Sequence, residues 1–170
     1  MSSVQLLGTG PEFAREGVRG IEPVVEELIL SARRDIHILA YLFTPQATNF
    51  LRLLEEAAQR SVEIRILVNR LDQQHTRIRS RLRSLERSCD TVEVVTLGSE
   101  HGRQLHAKVV VADRKRAVIG SANFSWGGMV ANYEIGVLVE GQAAWKMAEL
   151  IDSLIASSLK PSTRSVSRRS

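Results

Sequence analysis

The stretch His106-Ala-Lys108-Val-Val-Val-Ala-Asp113-Arg-Lys-Arg-Ala-Val-Ile-Gly120-Ser-Ala-Asn123 reads as two short apolar strands joined by a polar turn. Lys108–Ala112 and Ala117–Ile119 are the apolar runs, and Asp113-Arg-Lys115 is the turn between them. In a strand, alternate side chains share a face, so His106 and Lys108 point the same way about 6.6 Å apart. Ser121 and Asn123 share a face by the same rule, if the second strand continues that far. The pattern H-x-K-x4-D-x6-G-S-x-N fixes six residue types, and its chance occurrence is on the order of one in a million. A lone His or Lys on a strand is ordinarily a surface or satisfied core residue; the whole constellation reverses that expectation. It predicts an imidazole attacking a phosphodiester, with cationic and amide donors on the phosphate oxygens.

Outward from this hairpin, helices alternate with strands. Val4–Leu7 is a short strand candidate. Ile21, Val24, Val25, Leu28, Ile29 and Ala32 recur at helical spacing. Ile36–Leu42 reads as a strand broken by Thr44-Pro45, and Phe50, Leu51, Leu54, Ala57 and Ala58 mark a second amphipathic helix. Val62, Ile64 and Ile66 alternate with Glu63 and Arg65 as a half-buried strand. Gln73–Arg87 reads as a helix with Ile78, Leu82 and Leu85 on one stripe. Val92–Val95 and Ile135–Val139 are further strands, and Ala144, Met147, Ala148, Ile151 and Ile155 line a final helix. The succession predicts a single α/β domain, a mixed β-sheet sandwiched between helices.

A chain of 170 residues suits one domain with a full-sized core. Its 23 basic and 19 acidic residues leave +4, which the tail alone supplies through Lys160, Arg164, Arg168 and Arg169. The body is near neutral, so overall charge does not by itself argue for nucleic acid. The single Cys89 excludes an internal disulfide framework and suits a reducing compartment. No secretory leader and no apolar run of membrane-spanning length is visible, so the expectation is a cytoplasmic protein without stable membrane association. From Pro161 onward Ser, Thr and Arg dominate, which predicts a disordered basic tail over 160–170 after a catalytic domain over 1–159.

The H-K-D and G-S-x-N residues resemble the signature of the phospholipase D superfamily. The likeness continues through Asn132-Tyr133-Glu134 and the strand that follows, and extends from about Val4 to Leu159. One departure is Ser61, where many members carry Gly before the strand. The resemblance implies the superfamily's α/β/α fold and a metal-independent phosphodiesterase with no cofactor, whose His106 forms a covalent phosphohistidine. Lys108, Ser121 and Asn123 would bind the phosphate, and Glu134 would orient an imidazole through its other nitrogen. Asp113 belongs to the motif's set of catalytic positions but reads as a turn residue with a structural task.

Such a mechanism needs two histidines, and this chain carries one motif. His37, His75 and His101 lack the downstream residues, and no internal repeat is visible. Resemblance to single-motif members implies a homodimer with one shared site. Arg77, Arg81 and Arg103 are candidate contacts to a nucleic-acid backbone, against the commoner outcome of a solvated face. Trp126 is a candidate base-stacking residue, against a ring packed on the sheet. Gly120 is expected to allow close approach near the phosphate, and Gly127-Gly128 to form a flexible loop. No metal is expected, since the spacing of Cys89, His101 and His106 matches no common zinc framework. The leading expectation is a nuclease; the alternatives are a phospholipase D-type lipid phosphodiesterase and a non-catalytic nucleic-acid-binding subunit of a defence or repair assembly.

Overall fold

The computed structural model describes residues 3–98 and 103–159. One seven-stranded mixed sheet forms the centre, in the order β1-β7-β6-β5-β2-β3-β4. Its strands are β1 (Ser3–Thr9), β2 (Asp35–Ala40), β3 (Glu63–Asn69), β4 (Val92–Leu97), β5 (Val109–Ala112), β6 (Arg116–Gly120) and β7 (Glu134–Glu140). Strands β2, β3 and β4 are parallel, a pairing that requires crossovers. Helices α3 (Thr48–Gln59) and α4 (Thr76–Ser88) supply them. Strands β5, β6 and β7 form an antiparallel meander, with β5 antiparallel to β2 and β1 antiparallel to β7. A short α1 (Pro11–Arg15), which the apolar pattern does not announce, follows β1.

The two faces are covered unequally. Helix α2 (Ile21–Ser31) joins α3 and α4 on one face, where Val24, Leu28, Leu51, Leu54, Ile78 and Leu82 pack on Ile36, Ile38, Ile64 and Ile66. Among the described residues, only α5 (Gln142–Ser158) covers the other, laying Ala144, Ala148, Ile151 and Ile155 on Leu39, Leu67, Val109, Val111 and Ala117. Strand β2 is buried along its whole length, as a central strand between two helical layers must be. The expected sandwich of a mixed sheet between helices is the observed fold.

Several local expectations are corrected. Strand β6 ends at Gly120, so Ser121 and Asn123 lie in the loop beyond it and the alternation rule does not govern them. Helix α4 starts at Thr76 instead of Gln73, because Leu71–Gln73 form a 3-10 turn and the Gln74 side chain is buried. His75 caps the helix, its ring nitrogen accepting from the Arg77 N–H. Gly127 and Gly128 belong to an ordered π-helical turn, Gly127–Ala131. A Cβ on Gly128 would sit 2.5 Å from the Asn123 carbonyl, so Gly is required there for packing. Ser61 has φ +63°, the left-handed region where a non-glycine residue costs about 1 kcal/mol. This explains why Gly suits that position before the strand. The expected disordered tail, 160–170, lies outside the described residues. Among the described residues, no helix is long and apolar enough to cross a membrane.

The pairing brings the carboxyl ends of β2, β3, β4 and β6 and the amino ends of β5 and β7 to one end of the sheet. Crevices at the carboxyl ends of parallel strands are where α/β sheets present ligand-binding groups.

Candidate active site at the open end of the sheet

His106 and Lys108 precede β5 and meet at this end. Lys108 is buried, only 7 % exposed, whereas His106 is exposed. The Lys108 ammonium donates to the His106 carbonyl oxygen at 2.8 Å and lies 3.1 Å from His106 Nδ1. An ammonium can only donate, so the ring contact requires a nitrogen with a free lone pair. Burial pushes the Lys108 pKa down, and the negative charge of Glu134 pulls it back up. Tyr41, just past β2, completes the cluster: its ring centre lies 4.5 Å from that of His106 and 5.1 Å from the Lys108 ammonium. The latter is within cation–π range.

Two buried amides hold this cluster in place. Asn69, the last residue of β3, accepts the Leu105 N–H at 3.1 Å and so fixes the chain entering His106. The Gln74 amide donates to the Asn69 and Tyr41 carbonyls at 2.8 and 3.0 Å, and its oxygen accepts the Phe43 N–H at 3.0 Å. Tyr41, Asn69 and Gln74 were not singled out from the sequence. Tyr41 and Asn69 have one signal, a polar or amphipathic residue ending an apolar strand at the site end of the sheet; Gln74, beyond the 3-10 turn, has none.

On the β6–β7 side, Ser121 and Glu134 come together. Ser121 Oγ donates to the Glu134 carboxylate and accepts the Ile135 N–H at 3.2 Å. Asn132 Nδ2 lies 3.5 Å from the same carboxylate. Glu134 makes no hydrogen bond to His106 of its own chain. The Ser121 hydroxyl is therefore spent on orienting an acid. Asn123 follows, with its Oδ1 buried and unpartnered. Gly120 does permit a close approach, but to β7: a Cβ there would lie 2.9 Å from the Ile135 carbonyl oxygen.

Asp113 stands at the other end of β5, a strand of four residues and so about 13 Å long. With φ +55° it turns the hairpin. Its carboxylate accepts the N–H groups of Arg33, Arg34 and Asp35 at 3.0, 2.7 and 3.2 Å, tying the α2–β2 junction to the β5–β6 turn. It is not among the groups gathered around His106.

The candidate polynucleotide contacts divide. Arg77 and Arg81 line a groove between α3 and α4 that none of the motif side chains borders. Arg81 is paired with Glu55 at 3.0 Å, whereas Arg77 has no ion pair among the described residues. Arg103 is exposed, three residues before His106. Trp126 is 60 % exposed and borders a separate cleft with Phe50, Phe124 and Val130. Among the described residues, no three His, Cys, Asp or Glu side chains converge to hold a metal ion.

Comparison with known proteins places this arrangement. Residues 25–156 match the family model described as cardiolipin synthase, PLD-like domain. The chain is 30% identical over 141 residues to the DISARM protein DrmC of Bacillus paralicheniformis, covering 83% of this chain and 58% of that protein. It is 27% identical over 146 residues to a probable cardiolipin synthase, YwiE, of Bacillus subtilis, covering 85% of this chain and 28% of that one. This chain thus spans well under two thirds of the length of either relative. Among solved structures, the phospholipase D family member Nuc from Salmonella typhimurium shares the fold with a TM-score of 0.73 at 22% identity, covering 93% of this chain and 96% of that one. NucT from Helicobacter pylori matches with the same score at 19% identity, covering 93% of this chain and 98% of that one. The family model covers most of the sequence and the fold agrees with it: the chain belongs to the PLD-like domain family.

Proposed function

We propose that this chain is a metal-independent phosphodiesterase that cleaves nucleic acid through a covalent phosphohistidine. The observation that carries the reading is the Lys108 ammonium held against the open His106 ring at the strand ends. A phosphodiester resists attack because its anion repels nucleophiles and its alkoxide is a poor leaving group. In the proposed reaction a His106 ring nitrogen bonds to phosphorus as the bond to the leaving oxygen breaks, dividing one hard step into two easier ones. The departing oxygen takes a proton from a second imidazolium on the far side. That imidazole then removes a proton from water, which attacks phosphorus and breaks the N–P bond. Lys108 and the Asn123 amide donate to the non-bridging oxygens, where negative charge gathers. In this reading Glu134, held by Ser121, accepts from an imidazole N–H and fixes its tautomer.

The second imidazole comes from a second copy of the chain, because no other His in this sequence carries the motif. The active unit is therefore a homodimer with one composite site. Nucleic acid is favoured as substrate by the exposed Arg103 three residues before His106, with Arg77, at the start of α4, without an ion pair among the described residues. A lipid phosphodiester is the second reading, favoured by the likeness to cardiolipin synthases. The likeness to a DISARM protein supports a place in a larger assembly.

The test is a cleavage panel in excess EDTA, with the protein and His106→Ala against labelled single-stranded DNA, duplex DNA, RNA and phospholipid liposomes. Nucleic-acid cleavage that survives chelation and vanishes in the variant is the expected result. Headgroup release alone would transfer the assignment to the lipid reading. Cleavage that requires added metal would end the phosphohistidine mechanism.

A further inference from the structure

The cleft beside Trp126 combines apolar walls with two carboxylates that have no cation among the described residues. It opens between α2, α3 and the turn after β6, where Val25, Phe50, Phe124, Met129 and Val130 join the Trp126 ring. Trp126 stays 60 % exposed at its rim and Val130 45 %. Into these surroundings α2 sends Glu22 and Glu26, four residues apart on one helix face. Like charges at that spacing repel. Glu27, one position on, is neutralised by Arg19 and Arg116 at 2.8 and 2.7 Å. Glu26 has only the Asn49 amide, which donates to its carboxylate. Burial and the charge of Glu26 push the Glu22 pKa up, so the pair holds its charge at a cost. The helix dipole favours an acid at Glu22, but that benefit fades by Glu26, a full turn on.

A cation with a flat face satisfies both halves of this cleft. Its room, about 50 Å³, holds roughly four water-sized groups. A guanidinium, one carbon and three nitrogens, matches that size. A nucleobase exceeds it, and a phosphate strand would be repelled by the two carboxylates. A divalent metal ion takes about six oxygen ligands or more, and among the described residues no third His, Cys, Asp or Glu side chain converges on the pair. Guanidinium donors make paired hydrogen bonds to carboxylates, and the guanidinium plane stacks on indole. We propose that the cleft receives one arginine side chain of a partner protein, its guanidinium held by the Glu22 and Glu26 carboxylates and the Trp126 ring. The rest of the partner lies outside, over Trp126 and Val130 and beside the exposed Gln46 and Asn49 amides. Glu22, Glu26 and Trp126 have no part in the reaction proposed above, so the failure of either idea leaves the other standing.

The test is an NMR titration of the full chain with a capped glycine–arginine–glycine peptide. The same peptide is made with lysine and with citrulline, which keeps the shape of arginine without its charge. The expected result is binding with a Kd of about a millimolar, shifting the Trp126 indole N–H and the backbone amides around Glu26 and Trp126. Lysine should bind at least about tenfold more weakly, and citrulline not at all. The double variant Glu22→Gln, Glu26→Gln and, separately, Trp126→Ala should each weaken the arginine peptide about tenfold or more. Glu27→Gln, on the same helix but outside the cleft, should leave it unchanged. Both Gln substitutions keep side-chain shape, and unshifted amides across the sheet verify that each variant is folded. No shift at tens of millimolar peptide overturns the proposal, as does equal binding of the citrulline or lysine peptide. Magnesium, calcium or a thymidine oligonucleotide that displaces the arginine peptide would give the cleft to a metal ion or a nucleic-acid strand instead. Agmatine bound about tenfold more tightly than the peptide would make it a small-molecule site and overturn the assignment to a partner protein.

Discussion

Two histidines stand at opposite ends of the ladder between β2 and β5, and their surroundings differ in kind. His37, opposite Val111, is 1 % exposed and closed in by charge. Its Nε2 lies 3.1 Å from Asp152 and 3.4 Å from Arg114, and its Nδ1 3.6 Å from Asp35. Asp152 in turn takes Arg65 and Arg114, each at 2.6 Å. His106 faces solvent with one ammonium and one phenol ring beside it. The closed cluster joins α5 to the sheet, and its two unpartnered atoms, His37 Nδ1 and Asp35 Oδ1, are buried where solvent does not reach. The open cluster has an exposed imidazole, a cation and an oriented acid with bonding capacity to spare. A histidine that reacts must be within reach of its substrate, and of these two only the one at the strand ends is exposed.

The largest effect should expose this difference. His106→Ala is expected to lower turnover at least about a thousandfold with stability nearly unchanged, as loss of a covalent nucleophile does. His37→Gln should keep turnover within about threefold while lowering the melting temperature. Single-turnover rates and calorimetry on both proteins decide it; equal activity losses would erase the distinction between the two ends. Next in size is Lys108. Lys108→Met should lose about a hundredfold in kcat by removing a donor to the charged phosphate. Burial, opposed by Glu134, favours the neutral amine, so the ammonium is lost at lower pH than in an ordinary lysine. The alkaline limb of kcat/KM should therefore begin early, and Lys108→Arg, which stays charged, should remove that limb whatever its absolute rate. An alkaline limb unchanged in the Arg variant would assign it to another group.

Asp113 belongs to the motif by sequence and to the closed end by position, so it sharpens the contrast. Asp113→Ala strips an acceptor from three backbone N–H groups and puts alanine into a left-handed turn. A stability loss of about 3 kcal/mol follows from these two terms, with activity per folded molecule changed only a few-fold. Urea unfolding beside active-site titration measures both quantities. A catalytic loss without a stability loss would move Asp113 into the chemistry.

How much of this was readable beforehand depends on the range of the interactions. The β5–β6 hairpin, the α2 and α3 faces and the α5 stripe follow from periods of 2 and 3.6, which are local. The pairing of His106 with Lys108 was legible because both precede one strand at a spacing of two. The local pattern makes Ser121 a phosphate donor on an extended strand, yet β6 stops at Gly120 and its hydroxyl goes to Glu134, thirteen positions away. The Asn69 and Gln74 clamps join loops 36 and 31 residues apart. His37 and Asp152, 115 residues apart, carry no pattern at all. Periodicity encodes which face is buried; it does not encode which polar groups meet at the end of a sheet.

The smallest expected effect concerns that closed cluster and pH. Burial pushes the His37 pKa below its ordinary value and Arg114 adds to this, while Asp152 and Asp35 pull it upward without prevailing. The unfolded chain, with a histidine near pKa 6.5, then binds a proton that the folded chain resists. Stability is full above about pH 6.5 and declines as pH falls from there toward the depressed folded value, each unit of difference being worth about 1.4 kcal/mol. Asp152 acts in a separate, more acid window: burial raises its pKa, but the Arg114 and Arg65 hydrogen bonds outweigh that and hold it below the usual carboxylate range. Its contribution is lost only as pH falls below about 4. Urea midpoints from pH 8 to pH 5 should slope downward in the wild type and flatten in His37→Gln, with the steeper loss below pH 4 retained in both. A wild-type midpoint that rises on acidification would mean that Asp35 and Asp152 win, and that the buried ring is an imidazolium clamped between two carboxylates.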